Sequence, residues 1–154
     1  MEFYLFDTPL GAMALTEKAG AITRLYLPNS HTPRLASHPT PLLERGRDQL
    51  LEYLAGERRE FDLPLTPQGT PFQQRVWAAL RTIPWGQTRS YRDIAQAADC
   101  PKGFRAVGMA NHKNPIPIVI PCHRVVGSDG SLTGYAGGLE MKRALLSLEG
   151  VHLG

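Results

Sequence analysis

Alternating hydrophobic and polar residues at the start of the chain predict three short β-strands. The three segments are residues 3–6, 12–16 and 21–27. Turn-forming residues separate them, first Pro9 with Gly11 and then Gly20. Because the connections are short, the strands are predicted to pair as an antiparallel meander. Residues 28–41 follow with four prolines, a composition that predicts a mobile loop.

Leucines at helical spacing predict a helix over residues 42–55, with Gly56 as its C-cap. The leucines on its predicted apolar face are Leu43, Leu50, Leu51 and Leu54. Residues 57–69 are polar and interrupted by prolines, which indicates a boundary between two lobes. We therefore predict an α/β (α+β) fold, with a small antiparallel-sheet lobe over residues 1–66 and a helical lobe over residues 67–154.

Two helix-start signals follow in the second lobe. Thr70, with Pro71 after it and Gln73 three residues on, predicts a capped helix. The predicted buried face of this helix consists of Phe72, Val76, Trp77 and Leu80. Ser90 and Asp93 form a second capping box, and that helix should stop before Pro101. The residues expected on its buried face are Tyr91, Ile94, Ala95 and Ala98.

A third short helix is predicted over residues 103–112. Two short helices joined by a tight turn have the outline of a helix-turn-helix, although an ordinary helical pair gives the same pattern. The third helix carries Arg105. Small residues that would let it approach a partner surface closely are Ala106, Gly108 and Ala110.

Basic residues are concentrated in the second lobe. Residues 1–66 carry seven Lys or Arg against nine Asp or Glu, whereas residues 67–154 carry ten against five. Residues 75–124 alone hold eight basic residues and two acidic ones. This asymmetry is typical of contact with nucleic acid or a membrane surface, and a solvated basic face is the alternative.

Composition excludes several classes of protein. With 42% hydrophobic and 20% charged residues, the chain is globular rather than disordered or collagen-like. Only Cys100 and Cys122 are present, so a disulfide framework is excluded and a reducing, cytoplasmic location is expected. No apolar run is long enough to span a membrane, and the histidines lack ligand spacing, so neither a membrane nor a metal site is expected.

The most informative segment is an apolar, β-branched run that ends at Cys122. Residues 116–121 predict a buried strand or extended segment that delivers Cys122 to a turn. A buried cysteine is commonly a small hydrophobic residue without chemistry. Here His123 and Arg124 follow directly, and a basic neighbourhood favours the reactive thiolate.

The position of His123 restricts how it can act on the sulfur. Adjacent side chains on a strand point to opposite faces, so either a turn begins at Cys122 or a water molecule bridges sulfur and imidazole. A third group should orient the histidine. The acidic candidates downstream are Asp129, Glu140 and Glu149. Glu149 ends a helix that is predicted over residues 139–149.

Residues 127–138 form a glycine-rich loop with Tyr135 near its end. A flexible connector would have this composition. A pocket wall would have it as well, with the tyrosine as a stacking face and the glycines admitting a ligand to the backbone.

Taken together, these motifs resemble the O6-alkylguanine-DNA alkyltransferase family. The matching segments are Pro-Cys-His-Arg-Val at residues 121–125, Arg-Ala-Val-Gly at 105–108, Asn-Pro at 114–115, Ser-Tyr at 90–91 and Tyr-Ala-Gly-Gly at 135–138. The resemblance covers about residues 52–150 and keeps the family's order and spacing, while the first lobe is similar only loosely.

The resemblance implies DNA repair by direct reversal of damage. The alkyl group of O6-alkylguanine, and of O4-alkylthymine, would pass irreversibly to Cys122, one group per molecule. His123 would activate Cys122 through a water molecule, and Glu149 would orient His123. Asn114 would brace the turn, and Tyr91 would donate a hydrogen bond to a ring nitrogen of guanine.

The resemblance also implies which residues hold a flipped nucleotide. The substrate pocket would be lined by Tyr135, Ala136, Val125 and Pro117. Contacts to DNA would come from Arg105, Ala106, Gly108 and Arg124. Within that set, Arg105 would enter the base stack in place of the flipped nucleotide. The implied partner is double-stranded DNA, bound without a cofactor by a monomer, with or without cooperativity between monomers on the DNA.

Two other interpretations stay open at this point. Non-catalytic alkyltransferase-like proteins bind the lesion but replace the nucleophile, which this chain retains as Cys122. A cysteine hydrolase would need turnover and a direct contact between Cys122 and His123. Family members with structural zinc use cysteine and histidine ligands near the N-terminus, and residues 1–66 contain no cysteine, so no zinc is expected.

Overall fold

The computed structural model of the chain describes residues 1–152 and has the predicted mixed α/β class. Residues 153 and 154, which the predicted second lobe includes, lie outside the described residues. The backbone divides into two units, Met1–Gln68 and a second unit that begins at Gly69. Among residues 1–152, no helix combines the length and apolar character that crossing a membrane requires.

The first unit contains the predicted antiparallel meander. Its strands are β1 (Glu2–Thr8), β2 (Gly11–Lys18) and β3 (Ala21–Tyr26), paired in sequence order. Ala19 and Gly20 connect β2 to β3 with positive φ values of 53° and 78°, the geometry that suits a tight hairpin. The loop before the first helix is tied to β1, because the backbone N–H of His38 donates to the Phe3 carbonyl at 2.8 Å.

Helix α1 (Pro41–Leu54) packs on this sheet along a stripe that differs from the predicted one. Leu43 and Leu50 are buried as predicted, whereas Leu51 and Leu54 are half-buried. The other buried residues of α1 are Gly46, Gln49 and Tyr53. Ala55 is the C-cap, and Gly56 follows it with a φ of 78°.

The second unit is built from short helices and a two-stranded ladder. Its elements are α2 (Pro71–Leu80), β4 (Arg89–Ser90), α3 (Tyr91–Ala97), α4 (Phe104–His112), a single 3₁₀ turn (Cys122–Arg124), β5 (Val125–Val126) and α5 (Leu139–Leu148). Both predicted capping boxes are present, at Thr70 with Gln73 and at Ser90 with Asp93. Strands β4 and β5 pair in parallel, which holds the start of α3 beside the chain that leaves the 3₁₀ turn.

Helices α3 and α4 form the predicted helix-turn-helix and both pack on α2. Trp77 of α2 is buried, and its indole N–H donates to the Ala110 carbonyl of α4 at 2.8 Å. The predicted buried faces are largely correct, but Phe72 and Tyr91 are half-buried.

Replacing Thr70 by alanine should lower the free energy of unfolding of the second unit by about 1 kcal/mol. The reason is that the Gln73 N–H, now 3.1 Å from the Thr70 hydroxyl, loses its acceptor. Urea unfolding followed by tryptophan fluorescence measures this, since Trp77 and Trp85 both lie in that unit. Thr70→Ser keeps the hydroxyl and should match the wild type. An alanine variant as stable as the serine variant would contradict the role of the cap.

Candidate active site

The segment before Cys122 is a tight loop and not the predicted strand. The amide of Asn114 spans it, donating from Nδ2 to the Ile120 carbonyl at 2.8 Å and accepting the Ile116 N–H at 3.0 Å. The Ile120 N–H also returns to the Ile116 carbonyl at 2.9 Å. Ile118 has a φ of 71°, an unusual value for a β-branched residue. These hydrogen bonds fold the segment into turns instead of a strand, and they fix the chain that enters Cys122.

Cys122 begins the 3₁₀ turn and is buried, with 3% of its surface exposed. Burial raises the pKa of its thiol to about 11, while a hydrogen bond from Asn114 and the charge of Lys142 act in the lowering direction. The prediction that basic surroundings keep the sulfur ionised is therefore wrong, because the cost of desolvating a thiolate is larger. The resting group is a neutral thiol, and it needs a base to become a nucleophile.

The turn also changes the relation between Cys122 and His123. In a 3₁₀ turn, successive side chains are about 120° apart instead of on opposite faces. His123 is completely buried, and its Nε2 lies 2.8 Å from Oε2 of Glu149. A carboxylate only accepts hydrogen bonds, so Nε2 carries the proton and Nδ1 carries the lone pair of the neutral ring. Burial lowers the pKa of His123, which keeps the imidazole in this neutral form.

Of the three acidic candidates, the structure brings Glu149 to the histidine. Asp129 and Glu140 are exposed, and Asp129 accepts the N–H of Ser131. Glu149 is the C-cap of α5, where the helix dipole disfavours a negative charge. The N–H of Gly86 donates to its Oε1 at 3.1 Å, and Arg124 also contacts it.

Arg124 binds this carboxylate and does not face a DNA backbone. Its Nε and Nη2 donate to the two oxygens of Glu149 at 2.8 and 2.9 Å, and its Nη1 donates to the Ile83 carbonyl at 2.7 Å. Only 7% of the residue is exposed. The prediction that Arg124 contacts DNA is therefore wrong, because each of its terminal nitrogens is engaged inside the protein.

Tyr91 is linked by hydrogen bonds to two residues that sequence reasoning missed, Thr133 and Lys142. The phenol oxygen of Tyr91 lies 2.7 Å from the Thr133 hydroxyl oxygen. Lys142 of α5 is completely buried, and its Nζ donates to the Thr133 carbonyl at 3.2 Å and to the Thr133 hydroxyl at 3.4 Å. One signal was available, since Lys142 stands three residues before Leu145 on the apolar face of α5.

The residues predicted to line a substrate pocket differ in exposure. Tyr135, Val125 and Pro117 are buried, while Ala136 is exposed. Apart from Arg124, the residues predicted to contact DNA lie on α4, where Arg105 and Ala106 are exposed and Gly108 is half-buried. No group of three or more metal-binding side chains comes together within residues 1–152.

The chain is similar in sequence to proteins of one known family. A family model described as the DNA-binding domain of 6-O-methylguanine DNA methyltransferase matches residues 71–151. The constitutive methylated-DNA–protein-cysteine methyltransferase of Bacillus subtilis is 50% identical over 151 residues, which cover 93% of this chain and 92% of that protein. The methylated-DNA–protein-cysteine methyltransferase of Mycobacterium tuberculosis H37Rv is 47% identical over 152 residues, with coverage of 97% and 92%.

Solved structures agree with these sequence matches. The crystal structure of Mycobacterium tuberculosis OGT in complex with DNA matches with a TM-score of 0.90 and 46% identity, and covers 97% of this chain and 92% of that one. Fold and site define a helix-turn-helix protein that carries a buried cysteine beside a histidine–glutamate pair. The chain belongs to the 6-O-methylguanine DNA methyltransferase family, as the resemblance of its motifs implied.

Proposed function

We propose that the chain repairs DNA by transferring the alkyl group of O6-alkylguanine irreversibly to Cys122, one group per molecule. The observation that carries this proposal is a buried thiol next to a neutral histidine whose other nitrogen is held by Glu149. The relatives at 47–50% identity are named for methyl transfer between methylated DNA and a protein cysteine. O4-alkylthymine is proposed as a second substrate because it presents the same alkyl group on a ring-bound oxygen.

The proposed reaction begins with removal of the thiol proton. His123 accepts that proton at Nδ1 through a bridging water, and the carboxylate of Glu149 stabilises the imidazolium that results. The sulfur then attacks the alkyl carbon, so that the S–C bond forms while the C–O6 bond breaks and its electron pair passes to the purine. Lys142, whose charge lowers the pKa of the thiol, favours the sulfur anion during attack.

The departing purine needs a proton or a hydrogen-bond donor. Tyr91 is the proposed donor to a ring nitrogen of guanine, which stabilises the anion as the C–O6 bond breaks. The product is a thioether, which has no leaving group that water could displace under mild conditions. The thiol is therefore consumed, and the proposed transfer needs no cofactor because the chain supplies both nucleophile and base.

The burial of Cys122 requires that the damaged nucleotide leave the double helix. A base that stays stacked cannot bring its alkyl carbon to a thiol with 3% exposure. We propose that α4 approaches the minor groove with Ala106 and Gly108, and that Arg105 fills the gap in the stack. The flipped base would lie against Tyr135 and Ala136, with Pro117 and Val125 completing the pocket.

Intact-mass measurement tests the function directly. After incubation with duplex DNA that contains O6-methylguanine, the protein should gain the mass of one methylene group, and peptide mapping should locate it on Cys122. The matched control is Cys100→Ala, which removes the other cysteine and should gain the same mass. DNA binding without an adduct would indicate a lesion-binding protein, and repeated turnover without an adduct would indicate a hydrolase.

Replacing Arg105 by alanine should slow repair of duplex DNA roughly tenfold or more, because the flipped state loses the side chain that replaces the base, and unstacking costs a few kcal/mol. Reaction with free O6-benzylguanine, which needs no flipping, should keep its wild-type rate. The control is Arg92→Ala, which removes an exposed arginine of the neighbouring helix α3. Equal loss of both reactions in Arg105→Ala would count against the stacking role.

We also propose a cytoplasmic location and action as a monomer. The location is supported by the use of a free thiol, since Cys100 and Cys122 are both free and a reducing compartment keeps them so.

A further inference from the structure

Lys142 is an unusual residue for a protein interior. Lysine is almost never fully buried unless it is paired, yet this side chain is completely buried, and no carboxylate within residues 1–152 lies at salt-bridge distance from it. Its ammonium is satisfied by the two oxygens of Thr133. A group held at this cost, beside the sulfur of Cys122, calls for an explanation in the chemistry of the site.

The hydrogen bonds from Lys142 run in one direction. An ammonium has donors and no acceptor, so the Thr133 hydroxyl oxygen must accept from Lys142. A hydroxyl polarised in this way becomes a better donor, and the Tyr91 oxygen lies within its reach at 2.7 Å. A Thr133 hydroxyl that donates to Tyr91 leaves the phenol's own O–H hydrogen to point elsewhere.

We propose that Lys142 and Thr133 are positioning residues that direct the hydroxyl hydrogen of Tyr91 toward the purine and so stabilise the leaving guanine. This rests on the proposed function, in which Tyr91 is the donor. As the C–O6 bond breaks, Tyr91 passes its proton to the purine, and the phenolate that remains is stabilised by the Thr133 hydroxyl. The thiol proton goes to His123, so the step needs no further reactant.

The titration of Lys142 gives this chain of hydrogen bonds a pH dependence. Burial lowers the pKa of Lys142 to about 8, and the Cys122 thiol opposes this shift. The titratable groups that face the ammonium are Cys122 and His123 on the 3₁₀ turn and, through Thr133, Tyr91 on α3. Above that pKa the amine is neutral, and it no longer polarises Thr133.

The main test compares Thr133→Val, which keeps the shape and removes the hydroxyl, with Thr133→Ser, which restores the hydroxyl. Thr133→Val should slow methyl transfer from O6-methylguanine DNA roughly tenfold or more, as expected when a donor to a developing anion is weakened. Thr133→Ser should recover most of the rate. In a Tyr91→Phe background, Thr133→Val should cause no additional loss, because both changes remove the same interaction.

Two further measurements separate this role from a structural one. Methyl iodide alkylates the thiol with a leaving group that needs no proton, so Thr133→Val and the wild type should react with it equally fast. The ratio of wild-type to Thr133→Val rates on DNA should fall from about pH 7 to about pH 9, because the ammonium is lost across the pKa of about 8. Taking the ratio cancels the titration of the thiol itself.

The inference is overturned if Thr133→Val transfers methyl from DNA as fast as the wild type. A rate ratio that does not change with pH would overturn it too, as would an equal loss of reactivity toward methyl iodide. Failure of the proposed function gives a different result, because the wild-type protein would then form no adduct with O6-methylguanine DNA at all.

Discussion

Replacing Cys122 by serine should abolish methyl transfer and leave affinity for DNA that contains O6-methylguanine close to the wild-type value. Serine has nearly the shape of cysteine, so the braced loop around the residue should persist. Its hydroxyl is far less acidic than a thiol and is a poorer nucleophile toward an alkyl carbon. Burial already raises the pKa of the thiol to about 11. A serine hydroxyl at the same place is less acidic still, so the neutral His123 should not remove its proton.

A radiolabelled methyl group in the DNA makes this result measurable over many orders of magnitude. Label should remain with the DNA in Cys122→Ser and should move to the protein in Cys100→Ser, the matched change at the other cysteine. Binding of lesion DNA by both variants shows that they are folded. Transfer of label to the Cys122→Ser protein would show that another residue is the acceptor and would refute the proposed nucleophile.

Local signals in the sequence predicted the local structure well. The capping boxes at Thr70 and Ser90 are formed by residues three positions apart, so their hydrogen bonds do not depend on the rest of the fold. The hairpin between β2 and β3 is similarly local, because Ala19 and Gly20 alone supply the two positive φ values that it needs. The starts of α2 and α3 and the bounds of the three strands lie within two residues of their predicted places.

Features that depend on particular side-chain contacts or on burial were predicted less well. The apolar run over residues 116–121 has the composition of a strand, but the amide of Asn114 binds the backbone at both ends of it and folds it into turns. Composition also led to the wrong prediction that the Cys122 thiol is ionised, whereas its pKa is raised. A count of basic residues cannot show which charges are buried, paired or neutral, and here burial of the sulfur dominates.

The candidate site was predicted in part because its central residues are adjacent in sequence. Cys122 and His123 follow from chemistry that a cysteine nucleophile needs, which left three acids open. The family resemblance implied Glu149, and the structure brings Glu149 to His123. Thr133 was missed because a loop threonine has no distinctive spacing. Lys142 was missed although it stands three residues before Leu145 on the apolar face of α5. Only the tertiary fold shows that the Lys142 ammonium contacts the Thr133 hydroxyl and that this hydroxyl contacts the phenol oxygen of Tyr91.

Replacing Arg124 by methionine should lower the free energy of unfolding by about 3–5 kcal/mol, the usual cost of breaking a buried ion pair by removing one partner. Glu149 would stay buried with the charge that Arg124 now neutralises, and the Ile83 carbonyl would lose its donor. Transfer should also slow at neutral pH. Arg124 helps to lower the pKa of His123, so its removal favours an imidazolium that cannot accept the thiol proton.

The sequence-based expectation, that Arg124 contacts DNA, predicts a different outcome for this variant, so the experiment distinguishes the two roles. A phosphate contact would leave stability unchanged, weaken binding to all DNA sequences alike and reduce the salt dependence of binding by about one ion. Urea unfolding and a salt titration of DNA binding measure both quantities on one variant. Arg124→Lys keeps the charge but not the paired geometry, so it should be destabilised as well.

A double-mutant cycle tests whether Arg124 acts through Glu149. Glu149→Gln removes the charge that Arg124 neutralises, so the loss caused by Arg124→Met should be smaller in that background by about 0.5–3 kcal/mol. Transfer should stay low in the double variant, because a glutamine cannot stabilise the imidazolium of His123 as a carboxylate does. Strictly additive losses would contradict the coupling, because the bidentate contact at 2.8 and 2.9 Å is the interaction that the two residues share.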